Sequence, residues 1–253
     1  MITTFVGVKT VNVYSVPTAE MNDYSVSGTS RYGTPQEIEN TVQEMTMTRD
    51  RSFTFTIDRG TYNDTQMSNA AGAALQRQIR EVVVPEIDKY RFGKICDGAK
   101  TTVTGKVTKA NAYDAFLTGA TTLIENNVPL VGSCAFVSSD FYKNIKEDSS
   151  FIRNGDMSQE ILIKGQVGTI DGIPLIVVPK SYFPENVEFI ITNQAATTSP
   201  VKLSEYKIHD NPPGINGWLV EGRVYYDAFV LENKRVRFMC LKLLNKNRSE
   251  RLC

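Results

Sequence analysis

KIHDNPPGINGWLVEGRVYYDAFVL, residues 207–231, holds the chain's only histidine, His209, and its only tryptophan, Trp218. Rare residues so close together invite reading as a reactive site, but their spacing describes a turn followed by a strand. Pro212 and Pro213 lack a backbone N–H and fix φ, so neither a helix nor a central strand passes through Asn211-Pro212-Pro213-Gly214. Beyond the turn, Trp218, Val220, Val224, Tyr226, Ala228 and Val230 recur at even spacing, the period of a strand with one packed face. A catalytic triad on His209 and Asp210 would need a distant serine in a nucleophile-like setting, and none stands out. His209 reads as a polar residue at a turn or an interface.

The totals exclude several function classes. A chain of 253 residues suffices for one large domain or two modest ones. Its 28 basic and 28 acidic residues cancel, so no global field marks it as a nucleic-acid or membrane binder. The opening MITTFVGVKTVN has neither the apolar run nor the cleavage pattern of a signal peptide. The longest apolar stretches, such as 173–178, are too short to span a bilayer, which predicts a soluble, cytosolic chain with no membrane partner. Cys96, Cys134, Cys240 and Cys253 are widely separated, with no CxxC spacing, so they read as free thiols rather than zinc ligands. G-x-S-x-G, Walker, G-x-G-x-x-G and H-E-x-x-H motifs are missing, and Gly165, Gly168 and Gly172 suit a hairpin better than a phosphate loop. The expectation is a non-enzyme with no catalytic residue, metal or cofactor.

Along the chain, Val11, Val13 and Ser15 alternate with Asn12 and Tyr14, predicting a strand, and Phe53, Phe55 and Ile57 predict its return strand. Between them lie mostly polar residues broken by Pro17, Gly28, Gly33 and Pro35, whose few apolar members, Val26, Ile38 and Val42, are too sparse for a core. Over 17–44 there are five acids (Glu20, Asp23, Glu37, Glu39, Glu44) against Arg31, a net of 1 − 5 = −4. An isolated two-stranded ribbon is marginal in water, so this arm has to lie on its own domain or a neighbour. Met67, Ala71, Leu75, Ile79, Val82, Val83, Ile87 and Tyr90 step by three and four, predicting a long helix capped at Asn63 or Asp64, ending at Gly98, and kinked or broken at Pro85. Helices are predicted over 110–124, 140–146 and 157–164, and strands over 131–138 and 187–192. A hairpin turning at Asp171-Gly172 joins 167–170 to 173–178.

The 207–231 peptide, together with GQVG at 165–168, VVVPEID at 82–88 and FTFTIDRG at 53–60, closely resembles the major capsid proteins of tailed phages and prophages of Gram-positive bacteria. The resemblance runs over residues 7–234. It implies an α+β, Hong Kong 97-like capsid fold with a peripheral domain built on a long spine helix and a β-sheet (58–105 and 200–240), an axial domain (106–199) and an extended β-hairpin arm (10–57). Residues 1–9 would be the remnant of an N-terminal arm and 241–253 a divergent tail. The implied function is structural: hexamers and pentamers of the chain build an icosahedral head around double-stranded DNA. Implied partners are further copies of itself, scaffolding and portal proteins, and packaged DNA held non-specifically; the implied location is the virion, reached from the host cytoplasm. Assembly-interface candidates are Arg31, Tyr32, Glu37, Glu39, Arg49, Arg59, His209, Asp210 and Trp218. The same fold occurs in encapsulin-like nanocompartments, and a soluble α+β enzyme or ligand-binding domain is the rival from another class.

Three features bear on that implication. Lys9 is the only lysine before Lys89, so the isopeptide crosslink that the fold's prototype forms from a lysine in its arm has no donor here. The family carries tens of residues ahead of the region matching 7–10, which leaves the expectation that any scaffolding function comes from a separate chain. From Glu232 onward seven basic residues face two acidic ones, 7 − 2 = +5, a charge suited either to phosphate contact or to a solvated tail.

Overall fold

Two units divide the chain, Met1–Asp50 and Arg51–Cys253. The computed structural model describes residues 2–6, 9–15, 19–38, 41–64, 70–99, 101–148, 166–232 and 238–242. In the first unit, β1 (Ile2–Val6), β2 (Thr10–Ser15) and β3 (Thr41–Thr46) form an antiparallel sheet in that order. Val11 pairs with Met45 and Val13 with Gln43, and Val11, Val13, Met45 and Met47 are buried. The return strand of β2 is therefore β3, not the 53–57 segment that the alternation suggested. Alternation identifies a strand and its packed face, but leaves the partner to tertiary contacts.

The 53–57 segment is a strand as predicted, within β4 (Arg49–Asp58), and Phe53, Phe55 and Ile57 are its half-buried positions. It forms a separate three-stranded sheet with β11 (Val201–Asp210) and β12 (Gly217–Tyr226), with β12 in the middle. Tyr206 of β11 stands opposite Gly222 of β12. Because Gly222 has no side chain, the Phe53 ring lies across β12 and stacks on Tyr206 at 6.1 Å. The even-spaced face read in the sequence is present: Val220, Val224 and Tyr226 are buried. β12 ends at Tyr226, and β13 (Phe229–Val230) pairs instead with β10 (Thr197–Thr198).

A short helix α1 (Arg59–Asp64) follows β4 and includes Asn63 and Asp64, the expected N-cap of the long helix, and residues 65–69 lie outside the described ones. The long helix runs from α2 (Ala70–Gln78) through a π turn (Ile79–Val83) into α3 (Val84–Gly98). At about 1.5 Å per residue its 29 residues span about 43 Å. Pro85 does not break it. The Val84 N–H bonds the Ile79 carbonyl, five residues back, with helical dihedrals on both sides, so the wider π turn takes up the register that proline would otherwise disrupt. Gly98 does end the helix, and its lack of a side chain matters for a second reason: a Cβ there would meet the Val230 side chain at 2.6 Å.

The remaining elements are β5 (Thr101–Thr104), α4 (Ala112–Glu125), β6 (Ser133–Ser138), α5 (Ser139–Glu147), β7 (Gln166–Ile170), β8 (Ile173–Val178), β9 (Val187–Asn193) and β14 (Phe238–Lys242). Their strands form one mixed sheet, ordered β5-β14-β9-β6-β8-β7. The predicted helices and strands of this block are found within a few residues of their expected bounds, and the 157–164 helix lies outside the described residues. Asp171 and Gly172 both take positive φ, 49° and 78°, as the two-residue hairpin turn between β7 and β8 requires.

Strand alternation sorts this sheet into two layers. Ala135, Val137, Leu175, Phe189 and Ile191 face α4 and α5, where Phe189 meets Phe141 at 4.7 Å and Phe116 at 5.7 Å. The intervening Phe136, Ile176, Val178 and Ile190 face α3, where Phe92 meets Phe136 and Phe183, each at 5.1 Å. Covered on both faces, β9 is buried along its whole length. β5 and β14 join this sheet from beyond both ends of the segment 106–199, so β14 extends ordered strand into residues that the sequence suggested were tail.

Candidate assembly interface

Three of the residues singled out in the sequence meet at one end of the β11–β12–β4 sheet. The turn after β11 closes with the Asn211 N–H on the Gly217 carbonyl at 2.8 Å and the Ile215 N–H on the Pro212 carbonyl at 3.1 Å. Asn211 and Gly214 supply the positive φ that this turn needs, 46° and 84°. The Asn216 carbonyl then accepts the Arg59 N–H at 2.9 Å, docking the start of α1 onto the turn. From there the Arg59 guanidinium donates to Asn211 Oδ1 at 3.0 Å and Asp210 Oδ1 at 3.3 Å. Its Cζ lies 5.4 Å from the centroid of the Trp218 ring, whose neighbour is Tyr62 at 4.6 Å. Tyr62, Asn211 and Asn216 were not singled out from sequence. Tyr62 had a readable signal, because it follows Arg59 by three and so shares its helical face.

His209 is next to this cluster in sequence but points elsewhere: its Nε2 lies 3.2 Å from Glu221 Oε2 across the β11–β12 ladder, and both side chains are exposed. Arg49 is half-buried at the start of β4. The cluster is a polar and aromatic surface knot that fixes the turn, and nothing in it presents a nucleophile beside a base.

In the first unit, residues 19–38 form a loop held by its own backbone. The Ser25 N–H bonds the Arg31 carbonyl at 3.0 Å, the Gly33 N–H bonds the Ser30 carbonyl at 3.2 Å, and Arg31 Nε donates to the Gly28 carbonyl at 3.2 Å. Arg31 therefore braces the loop. Tyr32 packs edge-on against Tyr24 at 5.1 Å yet stays 84% exposed, and Met21 is 97% exposed. Val26 and Ile38 are exposed as well, as are Glu20, Asp23 and Glu37 along the same loop. Glu39 lies outside the described residues. A loop that shows large apolar side chains among carboxylates has the composition of a contact surface rather than of a solvated linker.

Among the described residues, no three His, Cys, Asp or Glu side chains are grouped to hold a metal, and no helix is long and apolar enough to cross a membrane.

No family model and no curated relative matches the sequence. Solved structures share its fold. A capsid structure of the cyanophage P-SCSP1u superposes with a TM-score of 0.68 at 14% identity, covering 96% of this chain and 85% of that one. The head structure of Helicobacter pylori bacteriophage KHP40 gives 0.66 at 12% identity, covering 93% and 84%. The mature capsid of bacteriophage PhiM1 gives 0.66 at 10% identity, covering 94% and 83%. The chain has the α+β, Hong Kong 97-like fold of phage capsid proteins.

Proposed function

We propose that this chain is a phage major capsid protein whose copies tile the shell of a phage head. The observation that carries the reading is the extent of the match: capsid structures cover more than nine-tenths of the chain, arm and helix included, rather than one common substructure. The exposed 19–38 loop supports it. In an isolated chain its Met21, Val26 and Tyr32 have no burial to offset the entropy of ordering the loop, whereas lying across a second copy would bury them. In this reading residues 10–57 are the arm, 58–105 with 200–240 the peripheral domain and 106–199 the axial domain, with hexamers and pentamers as the building units. Each copy makes several modest contacts at once, and their linkage makes the assembly strong. Glu37 and Glu39 meet a basic patch on a neighbour, while Arg59, Asp210 and Trp218 shape the turn at a contact between capsomers. Scaffolding and portal proteins direct closure, packaged double-stranded DNA lies against the inner face, and the chain passes from host cytoplasm to virion.

The test is size exclusion with light scattering, and negative-stain microscopy of the same fractions, with the phage's scaffolding protein co-expressed. Shells, tubes or capsomers are expected. A chain that stays near 28 kDa under those conditions would overturn the reading.

A further inference from the structure

Cys96 and Cys240 are separated by 144 positions in sequence, yet their sulfurs lie 3.4 Å apart, the Cys240 thiol donating to Cys96 Sγ. Cys96 sits in the last turn of α3, and Cys240 is the middle residue of β14, opposite Thr102 on one side and Ile190 on the other. Both are almost wholly excluded from water, at 3% and 0% exposure, within the apolar layer that holds Phe92, Val187 and Ile190. Neither is in a disulfide. We propose that this pair is an oxidation site: once reducing conditions are lost, a Cys96–Cys240 disulfide closes and staples the long helix to β14.

The geometry asks little of the fold. The sulfurs must approach by about 1.4 Å to reach a bond length of about 2.05 Å. The oxidant is a small peroxide, which can enter a packed layer that excludes bulky disulfides. One thiolate attacks a peroxide oxygen, the O–O bond breaks, and a sulfenic acid forms as the released hydroxide takes up the thiol proton as water. The second sulfur attacks the sulfenic sulfur and expels a second water. Two thiols and one hydrogen peroxide thus become one disulfide and two waters, the sulfurs oxidised and the peroxide reduced. Both sulfurs are shielded from solvent, which makes the reaction slow, so the pair stays open in a reducing cell and closes over longer exposure. The crosslink shuts a very long loop, which restricts the unfolded chain more than the folded one.

Full-length protein is treated with hydrogen peroxide under native conditions, quenched with catalase and digested without reductant. The expected product is a peptide pair joined through residues 96 and 240, two hydrogens lighter than its parts and absent after reduction. The oxidised protein should melt about 5 °C higher, and dithiothreitol or Cys240→Ala should abolish the difference. Should that variant fail to fold, the wild-type peptide map decides alone. Cys134, on β6 opposite Thr192 with its thiol pKa pushed up by burial, is the control within the chain. Oxidation that leaves Cys96 and Cys240 as separate thiols or sulfinic acids, or that joins either to Cys134, would overturn the proposal. So would a crosslink that brings no rise in melting temperature.

Discussion

The Tyr90 hydroxyl donates to Asp227 Oδ1 at 2.7 Å, fastening the long helix to the chain where it leaves β12. Asp227 is 2% exposed, and the same oxygen accepts the Ala228 N–H at 2.8 Å. Tyr90 also sets its ring edge-on to Tyr226 at 5.8 Å, so one side chain contributes both packing and a charge-assisted bond. Tyr90→Phe keeps the ring and removes only the hydroxyl. It should cost about 1.5–3 kcal/mol in urea unfolding, because a buried carboxylate loses one of its donors. Asp227→Ala should cost more, about 3 kcal/mol or above, since it disturbs every group that the carboxylate satisfies. A Tyr90→Phe variant as stable as wild type would mean that the bond is incidental to the join.

Gly217 opens β12 with φ at 150°, and a Cβ built there would sit 2.0 Å from the Ile57 carbonyl oxygen. The obstruction is backbone, which cannot swing aside like the end of a side chain. Gly217→Ala should therefore destabilise the second unit by about 3 kcal/mol or more, through both strain and displacement of β4. Gly214→Ala, where nothing lies within 4 Å, carries only the cost of positive φ. About 1 kcal/mol is expected there. The contrast between the two glycines is the measurement.

Much of this architecture is legible in the sequence, for reasons that differ element by element. The face of α4 and the alternation in β12 were readable because each pattern repeats within one element. The Asp171-Gly172 turn was readable because few residue pairs accept positive φ twice in succession. The partner of β2 was not, because alternation in 53–57 fits any neighbour. The π turn was not, because Pro85 announces a lost hydrogen bond but not which register absorbs the loss. β14 was hidden by its basic flanks, and the contact of Cys96 with Cys240 by the sequence distance between them. At the candidate interface, Arg59, Asp210 and Trp218 enter as interface candidates that the family resemblance implies, but that they touch through Asn211 and Tyr62 is tertiary information.

Lys180 supplies a pH test. Its ammonium donates to Asp140 Oδ2 at 2.6 Å and to the buried Glu188 Oε1 at 3.2 Å, while Ser138 donates to Glu188 and caps α5 through the Phe141 N–H. The hydrogen bond it donates to Asp140 first, and the one it donates to Glu188 after it, raise the lysine above its ordinary value against the opposing effect of burial. A lysine raised in the folded state contributes stability that is full below the unfolded value of about 10.4 and is lost as pH rises through the higher folded value. Half the side chain is exposed, so the contribution is no more than about 1 kcal/mol. Lys180→Met should be less stable than wild type by that amount at pH 7–9, and the gap should narrow above about pH 10.5. A gap independent of pH would assign the effect to lost packing of the lysine stem.

The absence of lysine between Thr10 and Ile57 predicts how particles built as proposed come apart. A segment without an ε-amine cannot supply the lysine of a lysine–asparagine bond, so in a shell built as proposed no such crosslink starts from this segment. Particles boiled in detergent with reductant should run as a single band near 28 kDa. A ladder of oligomers that survives reduction would show a crosslink from outside the arm.

Charge is the remaining property of the arm that can be varied without touching a core. Glu20, Asp23 and Glu37 are exposed on the same loop as Met21, Val26 and Tyr32. If these carboxylates meet a basic patch on the next copy, they fix register and encounter rate more than affinity. Glu37→Lys with Glu39→Lys shifts the 17–44 segment from −4 to 0, since each reversal adds two charges. The double variant should fold with an unchanged melting temperature, yet assemble markedly more slowly at low salt. Raising the ionic strength shortens the screening length to about 8 Å at 0.15 M and should slow the wild type toward the variant. Equal assembly rates at low salt would leave the apolar side chains of the loop, not its acids, as the recognition element, and a Met21→Ser, Tyr32→Ser pair would then be the variant to slow assembly.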